Sequence, residues 1–450
     1  IMKRRDVLKS ILAMGVGATS LSATAGQLQI MNALSQQARH SDFKALVCIF
    51  LYGGNDSYNM LVPTEAQSYQ QYAQVRQNLA VEQSTLLSLN TTTQLPYALG
   101  VPDYMSPVAE LFHSNQLAFV NNVGPLVEPT TKSAIQSSSA NLPPQLFSHN
   151  DQQRLWEQGN NSLVGTGGWA GRVADLLDDV NPQSSIPLNI SLAGNNVLQT
   201  GNRPLYAMTA EGADMFGALN PEHDWNERRI SVFDRLIQLD SHNLGGAYRS
   251  ILNGARSKAL VVNQGLEAAP RLTTEFADNS LHNDLAMVAK MISIREQLGM
   301  QRQIYFVGYG GWDTHDQQND LHPELLSNLA SAMQNFNAAM TELGLEQQVT
   351  TFTASEFGRT LTSNGDGTDH GWGGHQMVMG GAVNGGQLYG QMPSLSLNSE
   401  DDFGEGRIIP TTSSEQYAAT LARWFGLSDS ELELVFPLLS RFDQPTLSFI

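Results

Sequence analysis

Cysteine is nearly absent. The 450-residue chain has one, Cys48, inside the apolar run Ala45–Leu51. No intramolecular disulfide can form, and metal sites built from several thiolates are excluded. Any metal ion held here must be held by Asp, Glu, His, hydroxyl groups or water, and Cys48 itself reads as a core residue. Basic side chains are also scarce: 25 Lys and Arg stand against 43 Asp and Glu, a formal net charge of −18. A nucleic-acid binder needs a basic face, so no nucleic-acid partner is expected. An anionic membrane surface is disfavoured for the same reason. Most of the excess acid reads as solvated surface, although a bound divalent cation would relieve any clustered part of it.

Long apolar runs are missing too. The weakly apolar stretch Ile11–Ala25 falls short of the ~20 strongly apolar residues a spanning helix needs. It follows a basic start, Lys3-Arg4-Arg5-Asp6-Val7-Leu8-Lys9, and ends in the small residues Ala23-Thr24-Ala25. That pattern predicts an export signal over 1–25, and Arg4-Arg5 with Val7-Leu8-Lys9 resembles the twin-arginine type. A membrane anchor is the alternative. Export to the periplasm or beyond is expected, with membrane contact only during export. A polar linker covers 26–43.

What remains, 44–450, reads as one domain. Hydrophobic content of 41% and a mean hydropathy of −0.23 suit a globular chain with a sizeable core. Lys44–Leu51 is almost continuously apolar, as in a central strand covered on both faces. Further strands are expected at Leu117–Val120, Ile186–Leu192, Val197–Thr200, Gln303–Val307, Gln348–Phe352 and Gln376–Gly381. Helices are expected at Glu65–Thr85, Met105–His113, Leu146–Gly159, Gly167–Leu177, Leu281–Leu298, Leu321–Leu343 and Ser414–Phe425. Leu87–Tyr97 reads as a polar loop. Glu211–Leu252 reads as helical with breaks near Pro221 and Gly245-Gly246, within an insertion near 205–280. The alternation predicts an α/β domain with a parallel or mixed sheet.

The chemistry gathers after the apolar runs. Thr353–His375 places Glu356, Arg359, Asp369, His370 and His375 in one glycine-rich span. Tyr52–Asn59 carries Asp56, and Gly308–Gln318 carries Asp313 and His315. Acid and imidazole groups on loops at strand ends are what a metal site needs, and glycines let the backbone turn sharply beside a ligand. Such donors suit Zn²⁺, Mn²⁺, Mg²⁺ or Ca²⁺, with histidine favouring the first two. Ser148 precedes an amphipathic run and reads as a helix N-cap. A hydroxyl there also sits where a helix N-terminus favours an anion. His149 beside it is a ligand or a surface imidazole.

The motifs YGGNDSYNMLVP, SHNDQQRLWEQG, GGWDTHDQQ and SEFGRT…NGDGTDHGWGGHQMVMGGAVNGG resemble the DUF1501 family of exported bacterial proteins. That family is grouped with the alkaline phosphatase-like superfamily, which also holds sulfatases. The resemblance implies a three-layer α/β/α sandwich with a mostly parallel central sheet and the site at the C-terminal strand ends. It implies that Asp56 is the first-strand metal ligand, Ser148 the nucleophile, Asp313 the mid-chain ligand and His370 the late histidine ligand. Glu356 lies where the superfamily has Asp followed by His. The chain departs from the pattern: Gln317 stands where alkaline phosphatase has its histidine, and Glu356 lacks the adjacent histidine. His149 or His315 would fill such a gap. The sulfatase formylglycine signature is absent.

The expectation is therefore an exported metal-dependent hydrolase of a small-molecule or glycan phosphate or sulfate ester, using one or two ions of zinc or manganese. Ser148 would attack, with Asp56 and Glu356 on one ion and Asp313, His315 and His370 on the other. Arg359 would pair with non-bridging oxygens of the ester. The alternative is a non-catalytic exported binding or assembly protein. Trp169, Trp312 and Trp372 would line a pocket or pack in the core. The oligomeric state is not given by the sequence.

Overall fold

In chain order the strands are β1 (Lys44–Tyr52), β2 (Val62–Pro63), β3 (Leu86–Ser88), β4 (Leu99–Pro102), β5 (Leu117–Gly124), β6 (Asn189–Ser191), β7 (Tyr206–Ala207), β8 (Arg302–Gly310), β9 (Val349–Ala354), β10 (Arg359–Ser363), β11 (Thr368–His370), β12 (Gly374–Met379), β13 (Leu388–Tyr389) and β14 (Thr412–Ser413). The helices are α1 (Ala66–Arg76), α2 (Ser106–His113), α3 (Lys132–Gln136), α4 (His149–Gln158), α5 (Trp169–Leu176), α6 (Glu227–Leu239), α7 (Asn243–Glu267), α8 (Ser280–Ser293), α9 (Gln318–Glu342), α10 (Ser414–Phe425) and α11 (Asp429–Val435). The structure, a computed structural model, describes residues 42–450 apart from 161–164, 166, 216–218, 220–223 and 240–242. The expected export signal and nearly all of the linker lie outside the described residues, as does the break near Pro221.

The unbroken apolar character of Lys44–Leu51 has the expected cause. β1 is buried from Ala45 to Leu51 and is flanked by β8 and β9, both parallel to it. Ala45, Val47, Ile49 and Leu51 point to one apolar cluster, which α2, α8 and α9 complete. Leu46, Cys48 and Phe50 point to another, completed by α5, α10 and α11. Two helical layers therefore sandwich one sheet, as the period-2 geometry of a strand requires. The sheet order is β13-β5-β12-β9-β1-β8-β6-β7, with β14 also on β5. β12 runs antiparallel to β5 and β9, and the remaining pairs are parallel.

Some local expectations differ from the structure: the helix expected over Glu65–Thr85 ends at Arg76, with two 3-10 turns after it. Val197–Thr200 is a turn and not a strand. Its carbonyls are used elsewhere: Leu198 accepts from the Gly171 amide at 3.0 Å and Thr200 from the Gly168 amide at 2.8 Å, tying the turn to the start of α5. The expected loop Leu87–Tyr97 begins within a strand, since β3 pairs antiparallel with β4 in a small separate sheet. Cys48 is fully buried, and so are Trp312 and Trp372, with Trp169 nearly so; all four pack in the core.

One buried acid makes stability depend on pH. Glu415 lies in the first turn of α10, almost without exposure, and accepts the Leu438 amide at 3.2 Å. Burial pushes its carboxyl from the ordinary 4.5 up to about 8. A carboxyl raised in the fold stays protonated while the unfolded chain has already ionised. Its contribution is complete below pH 4.5 and is lost as pH rises towards 8. Glu415→Gln should flatten that part of the curve of denaturation midpoint against pH. An unchanged slope would mean that the carboxylate is solvated after all.

Candidate metal centre

β9, β1 and β8 are adjacent and parallel, so the loops that follow them emerge at one edge. The loop after β1 is drawn against its neighbours by glycine. Gly53 has φ +121° and no room for a Cβ, which would strike the backbone of Asp313. Glu356, after β9, accepts the Gly53 amide at 2.7 Å. Ser355 accepts the Asn55 amide at 3.0 Å and donates to the Leu51 carbonyl at 2.9 Å. The ribbon β10–β11 folds over this edge with Arg359 opposite His370. The start of α4 supplies His149.

Three imidazoles surround one carboxylate. His149 Nε2 lies 3.5 Å from Asp313 Oδ2, His315 Nε2 lies 3.1 Å from Asp313 Oδ1, and His370 Nε2 lies 3.4 Å from the same Oδ1. In each ring the other nitrogen is engaged from outside. His149 Nδ1 meets Glu356 Oε1 at 2.9 Å, His315 Nδ1 meets Asp369 Oδ1 at 3.3 Å, and His370 Nδ1 meets the Phe147 carbonyl at 2.7 Å. An N–H at each Nδ1 satisfies those acceptors and leaves each Nε2 with a lone pair turned inward. His315 Nε2 and His370 Nε2 are then 2.9 Å apart with no proton between them. The cluster is half-exposed, open to a ligand on one side.

The electrostatics agree with this geometry. The hydrogen bond to Glu356 is the main reason His149 titrates above the ordinary imidazole value. Burial is the main reason His370 titrates below it, with the charge of Arg359 acting in the same direction. Partial burial pushes the Asp313 carboxyl up, but the hydrogen bond and charge of Arg359 outweigh it, and the group stays below the ordinary range.

The family model described as "Protein of unknown function (DUF1501)" matches residues 43–437. The chain belongs to that family. No curated protein matches it. Among solved structures, the PsFucS1 sulfatase from Pseudoalteromonas sp. is 10% identical with a TM-score of 0.33, covering 90% of this chain and 72% of its own. The lipoteichoic acid synthase LtaP from Listeria monocytogenes is 7% identical with a TM-score of 0.33, covering 88% and 78%. At that level the likenesses decide nothing about activity, and the reading below rests on side chains.

Asp56, Ser148 and Arg359 are not among the donors that gather there. Asp56 is fully buried, ion-paired with Arg76 and bonded by Gln318 Nε2. Both of those contacts fall on Oδ2, while Oδ1 is buried without a hydrogen-bond partner, and Asp56 is not one of the residues whose donor atoms gather with His149, Asp313 and His370. Glu356 meets the cluster through His149 and orients that ring. Arg359 is fully buried, and donates to the carbonyls of Gly54 at 2.8 Å, Thr368 at 3.0 Å and Trp312 at 3.2 Å. It also donates to the Gly53 carbonyl and the Asp313 carboxylate. With those donors spent, its grip is on loops and ligand and not on a substrate. Ser148 occupies the N-cap of α4, but its hydroxyl donates to Asp151 Oδ2 at 2.7 Å and does not cap the backbone.

The sequence reading missed Asp369 and the Phe147 carbonyl as partners of the ligands. Asp369 was visible in the same glycine-rich span, whereas a carbonyl has no residue-type signal. Histidines that present Nε2 while a carboxylate or carbonyl fixes Nδ1 are the usual arrangement of imidazole ligands. His149, Asp313 and His370 have one donor atom each within 4.8 Å of the others, and His315 lies beside that set, its Nε2 3.1 Å from Asp313 Oδ1 and 2.9 Å from His370 Nε2. The donor set fits one zinc or manganese ion. Elemental analysis should give one equivalent, lost in Asp313→Ala and His370→Ala. Glu356→Gln keeps every ligand yet should weaken binding ~10- to 100-fold in a competition with a chelator. Affinity unchanged in Glu356→Gln would remove its orienting role.

Proposed function

We propose that this protein is an exported hydrolase of phosphate or sulfate esters that works with one divalent cation held by His149, His315, His370 and Asp313. The observation that carries the reading is the convergence of three imidazole Nε2 atoms on one carboxylate, each ring fixed through its Nδ1. A bound cation there would polarise an ester oxygen.

The chain's own groups have separable roles in this reading. Glu356, Asp369 and the Phe147 carbonyl hold the imidazoles in one tautomer. Arg359 keeps Asp313 ionised. Ser148 lies between Phe147 and His149, both of which touch the cluster, and at the N-terminus of a ten-residue helix that favours an anion. Its hydroxyl would attack the ester, and Asp151 Oδ2, already accepting that proton at 2.7 Å, would take it. Asp151 would return that proton to the leaving alcohol, small or part of a glycan, and water would then release the phosphoryl or sulfuryl group from Ser148. Export by the twin-arginine route belongs to the same proposal; among the described residues no helix is long and apolar enough to cross a membrane.

A second reading, a non-catalytic binding protein with one structural metal ion, is favoured by the occupation of Arg359. With its donors on carbonyls and Asp313, that arginine offers no free cation to an anionic ester, and the exposed Asp369 stands against His315 at 3.3 Å. Chromogenic phosphate and sulfate esters separate the two. A hydrolase loses turnover on chelation and regains it with zinc or manganese, and Ser148→Ala and Asp151→Asn lower kcat by ~10²-fold or more with metal content unchanged. Turnover intact in Ser148→Ala would remove the nucleophile. A chelation effect on melting temperature alone, with no ester turned over, would establish the binding protein.

A further inference from the structure

One arginine touches the centre without being a ligand. It is Arg407, on a turn packed against the ribbon β10–β11. Asp402 bridges Ile408 across that turn, and Asp402 Oδ1 accepts the amides of Gly404 at 2.8 Å and Gly406 at 3.0 Å. Gly406, at φ +79°, has no room for a Cβ against the backbone of Leu361, whose amide donates to the Gly406 carbonyl at 2.8 Å. The turn is therefore fixed to β10. Across it the Phe403 amide donates to the Arg407 carbonyl at 2.8 Å. Both side chains rest on Phe147: the Phe403 ring meets it edge-on at 5.6 Å, and the Arg407 guanidinium carbon lies 4.9 Å from the ring centroid. Arg407 Nε also donates to the His370 carbonyl at 3.1 Å.

Phe147 needs such support. Its φ is +70°, in the left-handed region that bulky side chains seldom occupy. In that conformation its carbonyl accepts from His370 Nδ1 at 2.7 Å. The chain then passes through Ser148, extended at φ −91° and ψ 126°, into His149 at the start of α4. Three consecutive residues thus hold one ligand ring, carry the hydroxyl and supply a second ligand. A disfavoured backbone conformation persists only where its surroundings impose it, and the Phe147 ring is where Phe403 and Arg407 act. An arginine near an ester site would ordinarily serve as an anion clamp. Arg407 instead has its Nε on the His370 carbonyl, its Nη1 on the exposed Glu405 and its flat face on an aromatic ring. A guanidinium is used here for its shape, which lysine does not share.

We infer that Arg407 is a positioning residue of the metal centre. Stacked on Phe147 and bonded to the backbone of His370, it keeps the Phe147 carbonyl on His370 Nδ1, and so keeps the lone pair of His370 Nε2 turned to the ion. This role rests on the reading of the cluster as a metal centre; it does not depend on ester hydrolysis.

Nitrogen-15 NMR of the imidazoles in the metal-free chain, with His370→Gln to assign that ring, reads the tautomer directly. The parent His370 should carry its proton on Nδ1. Arg407→Ala should turn this into a mixture with Nε2–H, and should weaken zinc binding ~10-fold in competition with a chelator. His315, whose Nδ1 is held by Asp369, should keep its tautomer, which a general loosening of the fold would not allow. Arg407→Lys keeps the charge but neither the flat face nor Nε, and should behave as Arg407→Ala does. Phe147→Leu keeps an apolar side chain but offers no aromatic face; it should move His370 in the same direction, and it carries the test if Arg407→Ala does not fold. A parent His370 protonated on Nε2 would overturn the role of Arg407, as would an Nδ1–H that survives Arg407→Ala and Phe147→Leu, or one that Arg407→Lys restores. A parent chain that takes up no zinc while His370 responds as expected would sustain the hold of Arg407 on the ring and overturn the metal reading alone.

Discussion

One buried guanidinium holds the functional edge together. Arg359 donates to carbonyls in the loop after β1, the loop after β8 and the ribbon β10–β11. Each of these carbonyls is away from water and would be costly without a donor. A single planar fork satisfies them all, and its remaining contact is the Asp313 carboxylate. Lysine could not do this, since a point charge on a flexible stem does not reach donors out in a fixed plane. The burial of the charge is compensated in the same stroke, because Asp313 supplies the counter-ion. The position of a candidate ligand is thereby linked to the closure of the loops around it.

A second buried arginine works from the other side of the ribbon. Arg76 pairs with Asp56 and donates to Asn59 Oδ1 at 3.0 Å and to the Thr360 carbonyl at 2.9 Å. Gln318 joins the two regions, giving its amide to Asp56 and accepting from the hydroxyls of Thr314 at 3.2 Å and Thr368 at 2.7 Å. The network grips the ribbon just before His370 and the loop just before His315. Asp56 thus contributes to the centre without touching it. Within that network Asp56 Oδ1 is buried without a partner, so Oδ2 alone takes the arginine and the glutamine amide.

Strand ends were legible from sequence because an apolar run followed by glycine and acid leaves little choice of backbone. That logic reached Asp313, His315, Glu356 and His370 and set β1 in the middle of the sheet. It did not separate ligands from the groups that orient them. Glu356 and Asp313 are both acids just past a strand. Only the direction of the chain after Ala354 makes one of them a partner of His149. Buried arginine was the larger blind spot: residue type suggests a solvent-facing or substrate-facing cation, and the carbonyls that claim Arg359 and Arg76 have no signature. The fate of Val197–Thr200 has the same origin, since its apolar residues read as a strand while its carbonyls were owed to α5.

The donor cluster carries an internal argument about its occupant. Asp313 is an anion, and three lone pairs face it or each other. Protons could relieve this only at a cost. His370 resists protonation because it is buried near Arg359, and its Nδ1–H is committed to the Phe147 carbonyl. His149 accepts a proton more readily, drawn chiefly by Glu356 and also by Asp313; with Nδ1–H already given to Glu356, that proton lands on Nε2, 3.5 Å from Asp313 Oδ2. A proton on His149 does nothing for the 2.9 Å approach of His315 Nε2 to His370 Nε2. A divalent cation resolves all of these at once: it takes the lone pairs, neutralises Asp313 and leaves every Nδ1–H bond in place. Side chains that converge so that one ion satisfies them together, while protons satisfy them only singly, describe a metal site more economically than a hydrogen-bonded surface loop.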